Sequence, residues 1–421
     1  MSILIRNVLL DGERRNVLIE GNRFGSLNAP GNAPADEVID AGGFAILPAF
    51  YNTHSHSPMT LLRGYADDME LFTWLNDHIW PFEAQMKPED IYAGTRLAIL
   101  EMIKSGTVFF CDMYWMEQES ARAAAEMGVR ACVSVHVIGF QPREAQLQTL
   151  ARARTWKDQA EGRVTMAVAA HAPYTCGAEL IVECHDLARE LGMPFVIHLA
   201  ETRKEFDDCV GEHGMTPVQY LDSLGVLDRN TVAAHVVHVT DEDAKILADR
   251  EVVISHNPVS NMKLASGVFQ SDKLQKAGCR ITLGTDGASS NNNLSMIEEM
   301  KVAALLAKVS SGPLAGSAET VLGWASRNGA QAFGLDAGVI REGALADAIL
   351  VDLANERLVP NHNLLSNWVY SADSSCVDTV ICDGRVIMRN RKIPGEQQIR
   401  EQAQQSAERI LARLSQAKAA S

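Results

Sequence analysis

The sequence predicts an α/β fold: a (β/α)8 TIM barrel with a small β-sandwich built from both chain ends. Three observations carry this. From about residue 44 to 345 short apolar strands alternate with amphipathic helices in one rhythm. Most of these strands are near-continuously apolar, as a parallel sheet buried on both faces requires. There are eight of them, the number of a closed barrel. An open doubly wound sheet would offer a Gly-rich phosphate turn after an early strand, and none is present.

Residues 2–22 read as two strands joined by "DGERR", and 36–46 add another. The barrel strands are "FAILPAFYNTH", "TVFFCDMYW", "RACVSVHVI", "RVTMAVAAHAP", "PFVIHLAE", "TVAAHVVH", "VVISHNP" and "RITLGTDG". Helices are expected over 88–105, 116–128, 143–160, 178–191, 241–249, 269–278 and 294–309. Residues 347–353 and 376–393 return to strand patterning, with Asp383-Gly384 as a hairpin turn. Neither end has strands enough for a stable sheet alone, so the two ends should pair. Residues 395–417 read as a polar surface helix. The expected division is 1–46 with 346–395 for the composite sandwich, 47–345 for the barrel and 396–421 for the C-terminal helix.

Bulk properties narrow the function. The 421 residues suit one large domain with a smaller one, at an ordinary 47% hydrophobic and 22% charged. No apolar run approaches the ~18 residues of a membrane span. The alternating, charged N-terminus is not a secretory signal. The eight cysteines form no CxxC pair and several lie in apolar runs, which reads as reduced thiols of a cytoplasmic protein. A net charge of −15 argues against nucleic acid or an anionic membrane as partner and leaves a small-molecule substrate.

Most barrel strands finish on a polar group. These ends meet at one face of a barrel, where active sites of this fold lie. They assemble His54 and His56, Asp112, His136, His171, His198 and Glu201, His235, His256 and Asp286. Single histidines at strand ends are ordinary rim residues. His54 and His56, at i and i+2, share one strand face and make the set less ordinary. Neutral imidazoles with a carboxylate suit Zn2+ or Fe2+, and three or four ligands with an open position make a catalytic site.

"NTHSHSPMTLLRGYADD", "HAPYTCG", "HLAET", "AAHVVH", "SHNPVSNMKLASG" and "LGTDGASSNNN" together resemble the amidohydrolase superfamily. Within it the chain is most similar to the methylthioadenosine and S-adenosylhomocysteine deaminases, over nearly its whole length. The resemblance implies one zinc ion per subunit, with Fe2+ as alternative, on His54, His56, His198 and Asp286. Two-metal members carry a bridging carboxylated lysine at the end of the fourth strand, where this chain has His171. It further implies Glu201 as proton shuttle, His235 as the residue aligning the attacking water, Asp286 as acceptor of that water's proton, and His171 as a substrate contact. His235 is preferred to His238, which lies three residues on, faces the other way and reads as a solvent-exposed loop residue. Asp112 and His136 read as rim hydrogen-bonding residues, and His256 is left outside the metal site.

The insertion after the first strand holds Phe72, Trp74, Trp80 and Phe82. In the resembled deaminases it folds over the site. Glu83 then binds ribose hydroxyls and Trp74 covers the base, while Trp80 and Phe82 are packing residues. The loop after the third strand offers one arginine, Arg143, for a substrate carboxylate. The lack of a second favours an uncharged 5′ group. The function implied is hydrolytic deamination of a 6-aminopurine nucleoside, with guanine, pterin or s-triazine hydrolysis as the alternative within the superfamily. A non-catalytic scaffold and a two-metal cyclic-amide hydrolase fit the residues less well. The family's habit allows a homo-oligomer.

Overall fold

The computed structural model describes residues 1–420. Eight parallel strands run in chain order around a nearly closed barrel: Phe50–Ser55, Thr107–Asp112, Arg130–Val137, Val164–Ala170, Phe195–Leu199, Thr231–His235, Val253–His256 and Arg280–Leu283. Almost every residue in them is buried, which is why they read as unbroken apolar runs and not as alternating ones.

Strands eight and one close the ring with side chains. Asn52 donates to Thr285 Oγ1 (2.7 Å) and accepts from the Thr285 N–H (3.1 Å), and Thr53 donates to the Leu283 carbonyl (2.9 Å). The seam is tight at Gly284. A Cβ there would lie 2.5 Å from Asn257 Oδ1, 2.6 Å from Ser255 Oγ and 2.9 Å from the His54 nitrogen. Gly284→Ala is therefore expected to cost about 1–3 kcal/mol. The measurement is a lower urea midpoint at unchanged slope.

The expected first strand is two strands. Phe44–Pro48 belongs to the sheet of the chain ends and pairs antiparallel with Ala348–Asp352, whereas Phe50–Ser55 enters the barrel. Pro48 offers no N–H to a further ladder, and the chain changes sheets at Ala49. The ends do pair. Ser2–Leu10, Glu13–Glu20, Glu37–Asp40, Phe44–Pro48, Ala348–Asp352, Val377–Cys382 and Arg385–Met388 join in one eight-stranded sheet with the short Arg23–Phe24. Ser2–Leu10 branches, pairing with Glu37–Asp40 along its first half and Phe44–Pro48 at its end. The sheet thus folds over its own core of Ile3, Ile5, Val17, Ile19 and Ile381.

The helix expected over 143–160 stops at Thr155. Trp156 turns extended, and Gln159 bridges back to Val164. Further helices include Arg203–His213, Pro217–Ser223, Pro258–Lys263, Ala318–Ala325 and Leu364–Tyr370. Most are too short for periodicity to reveal and start on a cap or a proline.

The insertion forms a lid of short turns: Ser57–Leu62, Leu71–Trp74, a π turn at Leu75–Ile79, and Trp80–Glu83. Its apolar residues share one cluster with Ala403, Ile410 and Leu414 of the C-terminal helix Glu396–Ala420. That helix lies on the surface as expected, but it is amphipathic and its inner face clamps the lid. Arg409 and Arg413 reach the fully buried carboxylate of Asp90, on the helix Pro88–Lys104. No described helix is long and apolar enough to cross a membrane. All eight cysteines are unpaired, and all but the half-buried Cys279 are buried.

Candidate active site

At the C-terminal face of the barrel a cavity is lined by His56, His171, His198, Glu201, His235 and Asp286 at its floor, and by Trp74, Trp80 and Glu83 of the lid. His54 lies just beneath, fully buried. Asp286 Oδ1 is 3.1 Å from His56 Nε2 and 3.5 Å from His54 Nε2, and His198 Nε2 is 3.3 Å from His56 Nε2. Zinc–nitrogen bonds of about 2.0–2.1 Å in a tetrahedron give edges of about 3.4 Å. Ligand atoms of His54, His56 and Asp286 lie within 4.8 Å of one another, and so do those of His54, His198 and His235, so each trio could hold a small divalent ion and His54 is common to both.

Their surroundings orient them. His56 donates Nδ1–H to the Met113 carbonyl (2.6 Å) and His198 donates Nδ1–H to the His171 carbonyl (2.7 Å). Each Nε2 is left as a lone-pair donor, the arrangement that fixes a metal-binding tautomer. Neither His54 nitrogen has a hydrogen-bond partner despite full burial, an orphan that an ion satisfies. Ser260 and Ser290 donate to Asp286 Oδ2 (2.6 and 2.8 Å), which leaves Oδ1 for the site. Asp286 and His235 both have left-handed backbones, φ 61° and 75°. Such strain in residues with a Cβ gathers at functional sites.

Electrostatics favour neutral rings at His54, His171 and His198. Burial and neighbouring imidazoles push His54 down to about 4 and His171 to about 3, and hold His198 well below the usual range. Burial works against charge on His56 too, but Asp286 outweighs it and carries His56 up to about 9. Burial opposes ionisation of Asp286, yet the His54 and His56 contacts keep its carboxyl well below normal.

Beside this set, Glu201 Oε2 lies 3.9 Å from His235 Nε2. Burial raises the Glu201 carboxyl. His235 donates Nδ1–H to Asn261 Oδ1 (2.8 Å), so its Nε2 faces the cavity. At the lid end Glu83 accepts from the Tyr114 hydroxyl (2.6 Å), and burial pushes its carboxyl up to about 7. Trp74 lines the cavity, and its indole donates to the Ala66 carbonyl (3.0 Å). Phe82 packs within the lid, while Trp80 both lines the cavity and meets Phe140 edge-on at 5.2 Å.

Arg143 is a correction. It starts the helix Arg143–Thr155 and points away from the cavity, paired with Glu183 of the next helix at 2.7 Å. His136 is another: it makes no hydrogen bond at either nitrogen and instead faces the cavity against Trp115, ring centroids 4.4 Å apart. Asp112 is a rim residue, accepting from the Ser57 N–H (2.6 Å) and hydroxyl (2.9 Å). His238 is not in solvent; its Nε2 donates to the Ser266 carbonyl (2.6 Å). His256 stacks on Phe269 at 3.9 Å, away from the cavity. Tyr114 and Trp115 end the expected strand "TVFFCDMYW" but are not read from it as site residues, Tyr174, Ser266 and Ser290 sit in loops, and Ser260 and Asn261 lie on the short helix Pro258–Lys263, so a reading of polar strand ends misses all seven. The last four do fall inside the segments "SHNPVSNMKLASG" and "LGTDGASSNNN".

A parallel barrel with histidines and an aspartate able to hold a metal ion at its C-terminal face fits the class of metal-assisted hydrolases. The chain belongs to the amidohydrolase family, whose profile matches residues 45–387. It is 45% identical over 416 residues to a 5-methylthioadenosine/S-adenosylhomocysteine deaminase of Pelotomaculum thermopropionicum, covering 96% of this chain and 95% of that one. It is 45% identical over 388 residues to a 5'-deoxyadenosine deaminase of Methanothermobacter thermautotrophicus, covering 90% of each. Among solved structures, a zinc-bound adenosine deaminase from Xanthomonas campestris superposes with a TM-score of 0.92 at 33% identity, covering 98% of both chains. An atrazine chlorohydrolase from Arthrobacter aurescens, at 20% identity and TM-score 0.87 over 96% of this chain and all of that one, shares the fold alone. Family and relatives make this chain a hydrolase acting on C–N bonds.

Proposed function

We propose that the protein deaminates a 6-aminopurine nucleoside of the 5'-methylthioadenosine or adenosine type, releasing ammonia and the inosine-type product. S-adenosylhomocysteine is a lesser candidate, since Arg143 is turned away. One observation carries the reading: two carboxylates line one cavity, the buried Glu201 by the donor set and the half-buried Glu83 on the lid. A nucleoside presents a basic ring nitrogen beside C6 at one end and a diol at the other.

His54, His56, His198 and Asp286 hold one divalent ion, zinc in the first place and iron(II) as alternative. His171, at the fourth strand where a bridging lysine would be needed, supports a single ion. Such an ion supplies activated water at neutral pH. Asp286 takes the proton of the attacking water, which His235 Nε2 aligns on C6 of the purine. Glu201 delivers a proton to N1, so that the ring accepts the incoming oxygen. The proton held on Asp286 then passes to the 6-amino group, the C6–N bond breaks and ammonia leaves, while the C6 hydroxyl returns its proton to Glu201 and becomes the carbonyl of the inosine-type product. A Glu201 carboxyl raised by burial suits an acid that must hold its proton near neutrality. His171 contacts the purine, Trp74 forms part of the apolar wall, and Glu83 accepts from the ribose hydroxyls.

The test is ammonia release from adenosine, 5'-methylthioadenosine and S-adenosylhomocysteine, with free adenine, guanine and an aminotriazine alongside. Turnover of nucleosides supports the reading, and turnover of free bases alone overturns it. Glu83→Gln is expected to raise KM for the nucleosides about tenfold or more through loss of a charged hydrogen-bond acceptor, with kcat less affected. Equal KM in wild type and variant would remove Glu83 from the sugar site.

A further inference from the structure

Glu205 is a buried acid next to the site that does not line the cavity; it is 3% exposed. It sits in the first turn of the helix Arg203–His213, whose N-cap Thr202 accepts from the Glu205 N–H (3.1 Å). A glutamate at this position commonly turns back to the N-cap N–H. Glu205 reaches further. Its Oε1 accepts from the Ala200 N–H at 2.8 Å and its Oε2 from the Glu201 N–H at 2.7 Å.

Those two N–H groups belong to a disfavoured turn. Ala200 has φ 50°, a left-handed backbone for a residue with a Cβ. Its carbonyl accepts from the N–H groups of Val237 and His238, both at 3.0 Å, and the Val236 N–H donates to the Leu199 carbonyl at 2.9 Å. His235 and Val236 are themselves left-handed, at φ 75° and 50°. The turns after the fifth and sixth strands are thus tied together, and Glu205 grips the first of them from outside the cavity.

We propose that Glu205 is a positioning residue. Its two carboxylate oxygens fix the Ala200–Glu201 turn and aim the Glu201 side chain at the reacting ring nitrogen. The proposal rests on the function given above. Ionised, the side chain accepts at both oxygens; a glutamine accepts at one and turns an NH2 group against the other N–H. Displacement of a catalytic group by about 1 Å costs roughly a hundredfold in rate.

A double-mutant cycle tests it. Glu205→Gln is expected to lower kcat roughly a hundredfold, with KM within about threefold and the bound metal and far-UV dichroism unchanged. In a Glu201→Gln background the same change is expected to lower kcat less than about threefold, because the group it positions is already gone. Thr202→Ala, which removes the helix cap and leaves the clamp, is expected to keep kcat within about threefold of wild type. The proposal is overturned by a Glu205→Gln enzyme with near-wild-type kcat, by a full additive loss on top of Glu201→Gln, by a loss carried in KM, or by a variant that no longer folds with its metal. Failure of the wild type to deaminate any adenine nucleoside defeats the functional reading instead, and the cycle is then read on whichever substrate is turned over.

Discussion

Asp286→Ala is expected to lose the bound metal and at least about a thousandfold in kcat, the largest effect of any single change. Two functions meet in this side chain. Oδ1 stands 3.1 Å from His56 Nε2 and 3.5 Å from His54 Nε2, inside the donor set. It is also the base proposed for the attacking water, a role worth about 10²- to 10⁴-fold by itself. Ser260 and Ser290 donate their hydroxyls to Oδ2, which holds Oδ1 toward the histidines. Metal analysis of the purified variant, with ammonia release on the same sample, is the measurement. A variant that keeps stoichiometric metal would remove Asp286 from the ligand set.

Glu201→Gln is expected to show the complementary result: metal retained, KM little changed, and kcat down by about 10²- to 10⁴-fold. Glutamine keeps the shape of the side chain and can still accept from the Ser266 hydroxyl, 3.4 Å away in the native chain. What it lacks is an exchangeable carboxyl proton for the purine ring. The two variants separate holding the ion from moving the proton. Turnover within about tenfold of wild type would refute the shuttle role.

Much of the barrel is legible because burial on both sheet faces leaves a long apolar signature ending in one polar residue. That pattern names His54, His56, His198, Glu201, His235, His171 and Asp286, and the fold brings them together. It fails where direction, not position, decides. Arg143 follows the third strand as a substrate-binding arginine would, yet the helix it begins turns it toward Glu183. His136 and Asp112 look alike as strand-end polar residues. One faces the cavity without a partner, and the other is consumed by Ser57. The split of "FAILPAFYNTH" hides because both halves are apolar, and only the proline marks the change of sheet. Glu205 hides for another reason: its effect runs through backbone N–H groups four and five residues earlier, and a "TRKE" segment looks like any helix start.

The terminal sheet has a consequence for the order in which the molecule assembles. Pro48 pairs with Ala348, about 300 residues later, and Val380 must then pair with Met388 to finish that edge. During synthesis the strand carrying His54 and His56 emerges early, yet the strand preceding it must wait for nearly the whole chain to leave the ribosome. Contacts so distant in sequence close slowly and leave strand edges exposed in the interval. The strand bearing His54 and His56 is thus made long before Asp286 and before the partner of Phe44–Pro48, so the floor of the cavity is completed only late in folding.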